Sequence, residues 1–179
     1  MITNNNPNSP AEALDGSKHP VPQKFDIHID SDGAWFHEGG LISRPAIVKL
    51  FASALRREAD GSYWLVTPVE RGTITVADVP FMATALNISG SGTDQQISFT
   101  TNVDDMVILS ADHPLKMRLL PDANNYDKTM VVAPYITIRD RLEAKLSRPV
   151  FYELAEYATI NDQGVFGVWS SGSFFRLEA

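Results

Sequence analysis

Ile42-Ser43-Arg44-Pro45-Ala46-Ile47-Val48-Lys49-Leu50-Phe51-Ala52-Ser53-Ala54-Leu55-Arg56-Arg57 is the stretch whose reading decides the fold. Ile47, Leu50, Phe51, Ala54 and Leu55 follow the i, i+3, i+4, i+7, i+8 spacing that lays apolar side chains along one stripe of an α-helix, so one face must be buried. Ser43 stands where a side-chain oxygen can cap free backbone N–H groups, and Pro45 falls in the first turn, where its missing donor costs nothing. Beyond residue 145 the chain repeats the pattern: Leu146-Ser147-Arg148-Pro149, then Phe151, Leu154, Ala155 and Ala158 on one stripe. After each helix comes a turn and an aromatic strand, Asp60-Gly61-Ser62-Tyr63-Trp64-Leu65 in the first case and Asp162-Gln163-Gly164-Val165-Phe166-Gly167 in the second, with one residue of slippage. The spacing from helix to strand is kept, which favours an internal duplication of a β/α/β unit over coincidence.

Working outward, Phe25, Ile27 and Ile29 alternate with Asp26 and His28 before the turn Asp30-Ser31-Asp32-Gly33 and the strand Trp35-Phe36-His37. With the strands at Tyr63–Thr67 and Thr73–Val76, residues 24–79 read as a β-β-α-β-β lobe. Pro80 marks a boundary. Strands are expected at Phe81–Ile88, Gln95–Thr101, Met106–Leu109, Leu115–Leu119 and Met130–Ile138, separated by turn-formers such as Asp112-His113-Pro114 and Asp122-Ala123-Asn124-Asn125. The second helix and two short strands, Val165–Trp169 and Phe174–Leu177, complete a barrel-like lobe over 80–179. Residues 1–23, with four prolines among Asn, Ser and Gly, are expected to form a loose arm. The fold class is therefore α+β, in two β-rich lobes.

Composition narrows the chemistry. The 179 residues are 44% apolar and 21% charged, enough for a real core, and the formal net charge of −7 repels phosphate backbones unless Lys and Arg are gathered on one face. No such cluster is visible in the sequence, so no nucleic-acid partner is expected. Cys is absent, which removes disulfides, thiolate metal sites and thiol nucleophiles, and fits a reducing compartment. The N-terminus has no basic start followed by an apolar run, and no stretch reaches the length of a membrane span. A soluble cytoplasmic protein is expected.

Several stretches, Asp32-Gly33-Ala34-Trp35-Phe36-His37-Glu38-Gly39-Gly40, Tyr63-Trp64-Leu65-Val66-Thr67-Pro68, Thr101-Asn102-Val103-Asp104-Asp105, Asp112-His113-Pro114-Leu115, Ser147-Arg148-Pro149-Val150-Phe151-Tyr152-Glu153-Leu154 and Gly167-Val168-Trp169-Ser170, together resemble a bacterial family of unknown function, the one numbered twelve eighty-five. The resemblance runs from about Phe25 to the C-terminus. It implies a duplicated core, a C-terminal lobe like a pleckstrin-homology barrel, and a cleft between the lobes for a nucleotide-like ligand, in a signalling or stress-response role. It implies no activity.

The candidate residues for that cleft are Arg44, Arg148, His37, Trp35, Tyr63, Trp64, Glu70, His113, Tyr152 and Trp169. Arg44 and Arg148 open the two helices, where the macrodipole is positive and a cation is disfavoured, so both are candidates to meet an anion or carbonyl group. A salt bridge to an acidic residue such as Glu38 or Glu70, or a solvated side chain, is the plainer alternative. Trp35, Trp64, Trp169, Tyr63, Tyr152 and Phe166 could stack a flat ring, although aromatics beside turns are more often core. Of Tyr63 and Trp64, strand alternation buries one and turns the other outward. His37 and Glu38 are adjacent, so as strand residues they point to opposite faces and a structural role is preferred. His19, His28, His37 and His113 lack metal-ligand spacing, so neither metal nor cofactor is expected. Gly-x-Ser-x-Gly is absent, and the Gly-containing turns at 89–92 and 170–173 lie between strands, without the context of a phosphate loop. The expectation is a noncatalytic ligand-binding or adaptor protein, with a protein–protein interaction module as the second reading and a hydrolase using His37-Glu38 or His113-Asp112 as a third.

Overall fold

The computed structural model describes residues 22–121 and 130–179. The expected arm, apart from Pro22 and Gln23, lies outside the described residues, as do His19 and the expected turn at 122–125. Pro22 and Gln23 belong to the first strand, β1 (Pro22–Ile29). It is followed by β2 (Trp35–His37), β3 (Gly40–Leu41), α1 (Pro45–Ala54), β4 (Leu55–Arg57), β5 (Tyr63–Val66) and β6 (Arg71–Val76). These strands make one sheet in the order β3-β2-β1-β6-β5-β4, antiparallel except where β1 runs parallel to β6. The second lobe has β7 (Phe81–Ser89), β8 (Gln96–Thr101), β9 (Met106–Ile108), β10 (Leu115–Pro121), β11 (Met130–Arg139) and β12 (Leu142–Leu146) in the order β10-β11-β12-β7-β8-β9, with β12 parallel to β7. After it come α2 (Arg148–Glu156) and a separate three-stranded sheet of β13 (Thr159–Ile160), β14 (Phe166–Ser170) and β15 (Ser173–Arg176). The class is α+β: two β-rich lobes with few helices.

The two six-stranded sheets have the same topology, two antiparallel meanders joined by a parallel pair of their first and last strands. The helices are out of phase with that repeat. α1 connects the two meanders of its sheet, whereas α2 follows a completed sheet and leads into a third meander. Both helices still touch the middle strand of the meander that follows them, β5 and β14, and α2 leans further on β7.

Helix α1 differs from the sequence expectation in three ways. It stops at Ala54, because Leu55, Arg56 and Arg57 pair with Leu65, Trp64 and Tyr63 as strand β4; the ladder offers those backbone groups partners that a further helical turn would not. Ser43 is not the cap: Arg44 holds that position in extended conformation, with no side-chain cap hydrogen bond. The buried stripe is also rotated. Leu50 is 66% exposed, while Ala52 and Leu55 are buried and Val48 and Phe51 pack against the core. Phe51 decides the rotation by stacking on the fully buried Trp35, ring centres 6.2 Å apart.

One continuous apolar core runs through both lobes, from Ile27, Ile29, Trp35 and Leu55 to Phe81, Phe99, Ile136, Leu142, Leu154 and Val168. The third sheet is fixed to it by buried Ser170, whose hydroxyl accepts from the Ile97 N–H (3.1 Å) and donates to the Leu109 carbonyl (2.8 Å). Among the described residues, no helix is long and apolar enough to cross a membrane.

The rotated stripe sets an expectation that urea denaturation checks. Phe51→Ala should cost about 3 kcal/mol, as truncation of a packed ring does, whereas Leu50→Ala should stay within about 0.5 kcal/mol of the parent. Equal losses would restore the stripe read from the spacing alone.

Candidate ligand-binding site at the seam between the lobes

The lobes meet on a face of the second sheet that strand alternation makes polar. Lys116 lies opposite Tyr135, and Tyr135 opposite Lys145, across β10, β11 and β12; Glu143 lies opposite Thr137 on the same face. Such a face is ordinarily solvated. Here Arg57 of the first lobe reaches over part of it, and Glu143 is only 3% exposed, while Lys116 and Arg118 stay partly open to solvent.

A buried carboxylate must be paired, and Glu143 is. Arg118 donates to both of its oxygens (2.8 and 2.7 Å), Lys116 to Oε1 (3.0 Å), and Arg57 reaches across from β4 to Oε2 (3.4 Å). Arg57 also donates to the Arg141 carbonyl (3.3 Å) and lies over the Tyr63 ring. Beside this cluster, Asp78 of the connection between the lobes accepts from the Tyr135 hydroxyl (2.8 Å) and from Lys145 (3.1 Å). The Arg118 guanidinium stacks over Tyr135, 4.2 Å from the ring centre, which joins the two clusters.

Burial works to raise the Glu143 carboxyl, but the hydrogen bonds from Arg118 and Lys116 outweigh it and hold the group below the usual carboxylate range. Burial, reinforced by Asp78, pushes the Tyr135 phenol up, and burial raises Tyr63 against the pull of Arg57. These three groups are driven away from neutral pH, so none of them is set to exchange a proton there.

The seam is also held by Asn102, which donates to the Gly33 carbonyl (3.0 Å), by the Lys49–Asp104 ion pair, and by Arg139. Arg139 pairs with Asp105 and donates to the Ala52 carbonyl of α1 (2.7 Å). Helix α1 has no basic residue in its last turn, and the opposite lobe supplies the cation its C-terminal end favours. Above the buried charges lies an open recess of about 460 Å3 lined by Arg56, Arg57 and Glu58 from one lobe and Asp140 and Arg141 from the other.

The residues singled out in the sequence do not gather in one cleft. Tyr63 alone reaches the charged seam; it is 8% exposed, and its hydroxyl has no partner among the described residues. Trp35 belongs to the core because it is the inward residue of β2. Trp64 is the outward residue of its pair, its indole N–H donating to the Ser62 hydroxyl (2.8 Å) beneath the Arg71 guanidinium. His37 and Glu70 line a separate recess in the first lobe, and so does Glu38, which lies in the turn after β2 with φ 51° rather than on the strand, so the expected separation of His37 and Glu38 onto opposite faces does not hold. Arg148 and Tyr152 line another beside α2, and Arg44 is exposed and ion-paired with neither Glu38 nor Glu70. His113, in the turn before β10, has its Nδ1 3.1 Å from the Thr137 carbonyl oxygen of β11, and Trp169 packs edge-on against Phe174. The seam residues Arg57, Asp78, Lys116, Arg118, Tyr135, Glu143 and Lys145 were not among the sequence candidates. Their only signal is a charge or hydroxyl at alternate positions of neighbouring strands, which is also how an ordinary wet sheet face reads.

Fold and seam together define a two-lobed α+β protein whose lobes are locked by paired charges. The chain belongs to the DUF1285 family: the model described as the N-terminal domain of that family, a domain of unknown function, matches residues 18–79, and the model described as its C-terminal domain, a protein of unknown function, matches residues 80–177. The structure is similar to the crystal structure of a DUF1285 family protein from Silicibacter pomeroyi DSS-3, with a TM-score of 0.80 and 39% identity over 96% of this chain and 90% of that one. It is also similar to a DUF1285 family protein from Shewanella baltica OS155, with a TM-score of 0.56 and 22% identity over 74% of this chain and 91% of that one, a likeness of fold alone. None of the curated proteins matches this sequence.

Replacing the buried carboxylate tests the seam. Because the folded-state pKa of Glu143 is depressed, its stabilisation is present above the unfolded value of about 4.3 and is lost as pH falls through the lower folded value. Glu143→Gln should therefore cost about 3 kcal/mol at pH 7, and the gap to the parent should narrow below about pH 4 in urea melts. A gap independent of pH would show that the charge contributes nothing.

Proposed function

We propose that the protein is a noncatalytic ligand-binding module that holds a small anion of nucleotide type at the arginine-lined recess between its lobes. The observation that carries this reading is the local charge. Arg56, Arg57, Lys116, Arg118, Arg141 and Lys145 face Glu58, Asp78, Asp140 and Glu143, which leaves positive charge in excess at the seam of a chain whose net charge is −7. Guanidinium groups suit planar carboxylates and phosphates because their N–H donors match two oxygens at once. Arg57 and Arg118 are committed to Glu143, so the exposed Arg141 and Arg56 are the side chains offered to a ligand. The Arg56 guanidinium already bends back to the carbonyls of Ser53 (2.9 Å) and Leu55 (2.6 Å), which holds it in place without neutralising it.

Three finer points belong to the same proposal. The matching topology of the two six-stranded sheets supports an internal duplication of a six-stranded unit, not of the helix-centred β/α/β unit read from the sequence, because the two helices stand at different places in that repeat. The third sheet, crossing β8 and β10 with α2 against β7, supports a pleckstrin-homology-like C-terminal lobe. The absence of cysteine supports a cytoplasmic setting, where the family resemblance suggests signalling or a stress response. A second reading, a protein-interaction module, is favoured by the exposed apolar residues Leu119, Met130, Val131, Val132 and Tyr152 around the end of the β10–β11 pair.

Calorimetric titration with AMP and with inorganic phosphate at low ionic strength tests the first reading. Binding should weaken at least fivefold in Arg141→Gln and fall with added salt, while Arg44→Gln and Arg148→Gln bind as the parent does. No heat from either ligand, or a loss confined to Arg148→Gln, would overturn the placement at the seam.

A further inference from the structure

A half-open recess of about 340 Å3 in the N-terminal lobe shares no lining residue with the arginine recess. Its volume lies at the small end of the range for small-molecule sites. The floor is hydrocarbon: Phe25 and Ile27 of β1, Phe51 and Ala54 of α1, and Leu65 of β5. Gly72 allows Phe25 to lie there, since a Cβ at position 72 would stand 2.6 Å from the ring and push it out of place. The floor is thus a surface that the backbone of β6 has been kept bare to accommodate.

The rim is negative. Glu38 enters from the turn between β2 and β3, Glu70 from the loop between β5 and β6, and His37, paired in register with buried Ile27, stands on the same side of the sheet as the floor. Lys24 and Asp26 of β1 border the recess too, but alternation with Phe25 and Ile27 turns their side chains to the other face of the sheet, so the negative charge of the rim is that of Glu38 and Glu70. Neither Glu38 nor Glu70 forms an ion pair among the described residues. The recess does not have the makings of a metal site, because no group of three or more His, Cys, Asp or Glu converges among the described residues.

We infer that this recess binds a small organic monocation, a primary ammonium on a short hydrocarbon stem, with the ammonium taken by Glu38 and Glu70 and the stem lying on Phe25, Phe51 and Leu65. The charge complement selects the cation. The apolar floor selects the stem, because a bare inorganic cation would leave it wet.

Titration of the full chain with propyl-, butyl-, pentyl- and hexylammonium chloride, followed by amide chemical shifts at constant ionic strength, tests this. Affinity should rise about two- to fourfold with each added methylene, the upper figure being the gain for full burial of a CH2. Hexanol, which keeps the stem and lacks the charge, should bind at least fivefold more weakly than hexylammonium. The double exchange Glu38→Gln and Glu70→Gln should cost at least tenfold in hexylammonium affinity, and Arg141→Gln should cost nothing. Ala54→Val, which narrows the floor without touching a charge, should weaken hexylammonium more than propylammonium. Absence of saturable shifts at Ile27, His37 and Leu65, equal binding of hexanol, or an unchanged affinity in a folded double exchange would each overturn the inference. Because the two recesses share no residue, any of those results leaves the anion reading at the seam to stand or fall by its own titration.

Discussion

A carboxylate almost wholly removed from water is the constraint on which this structure depends. Taking one such ion out of water costs several kcal/mol even after the protein relaxes, and only well-placed cations return that free energy. Glu143 receives two of them from its own sheet, Lys116 and Arg118, and the third, Arg57, from the other lobe. Removing either lobe would therefore expose or strand a charge as well as an apolar surface. That is a physical reason for the two lobes to behave as a unit, and the apolar core that runs unbroken between them is a second.

Charges that settle a seam need not cancel. Arg139 shows how a cation can serve two elements at once, pairing with Asp105 of its own lobe while taking the Ala52 carbonyl at the end of α1. Arg56 likewise completes the end of α1 and still faces the recess. Cations held by neutral carbonyls keep their full charge, and this is how a chain rich in carboxylates can carry a locally positive groove.

Much of the architecture was legible in the sequence, because it rests on local signals. Alternation in Phe25–Ile29 and Tyr63–Val66, the Asp60-Gly61 turn, Pro45 and Pro149 at the helix starts, and the break at Pro80 all act over a few residues. The misread parts were settled at longer range. Leu55 continues a helical stripe perfectly well, but the strand at Tyr63–Leu65 offered it a ladder, and the stacking of Phe51 on Trp35 turned Leu50 out to solvent. Leu142-Glu143-Ala144-Lys145-Leu146 alternates as a surface strand should, so nothing local marks Glu143 as buried. Only the docking of the other lobe does that, and the same docking brings Arg57 into reach of a residue 86 positions away. The helix-opening arginines stood out because the macrodipole makes them unexpected, yet they lie apart from the seam.

The most direct test is a double-mutant cycle between Arg57 and Glu143, with Arg57→Met, Glu143→Gln and the pair measured by urea denaturation. If the seam holds the lobes through this charge, the two exchanges should be coupled by about 1 kcal/mol or more, the double variant losing less than the sum of the singles. Additivity to within about 0.3 kcal/mol would mean that the two groups do not sense each other, and the account of a charge-locked seam would be wrong.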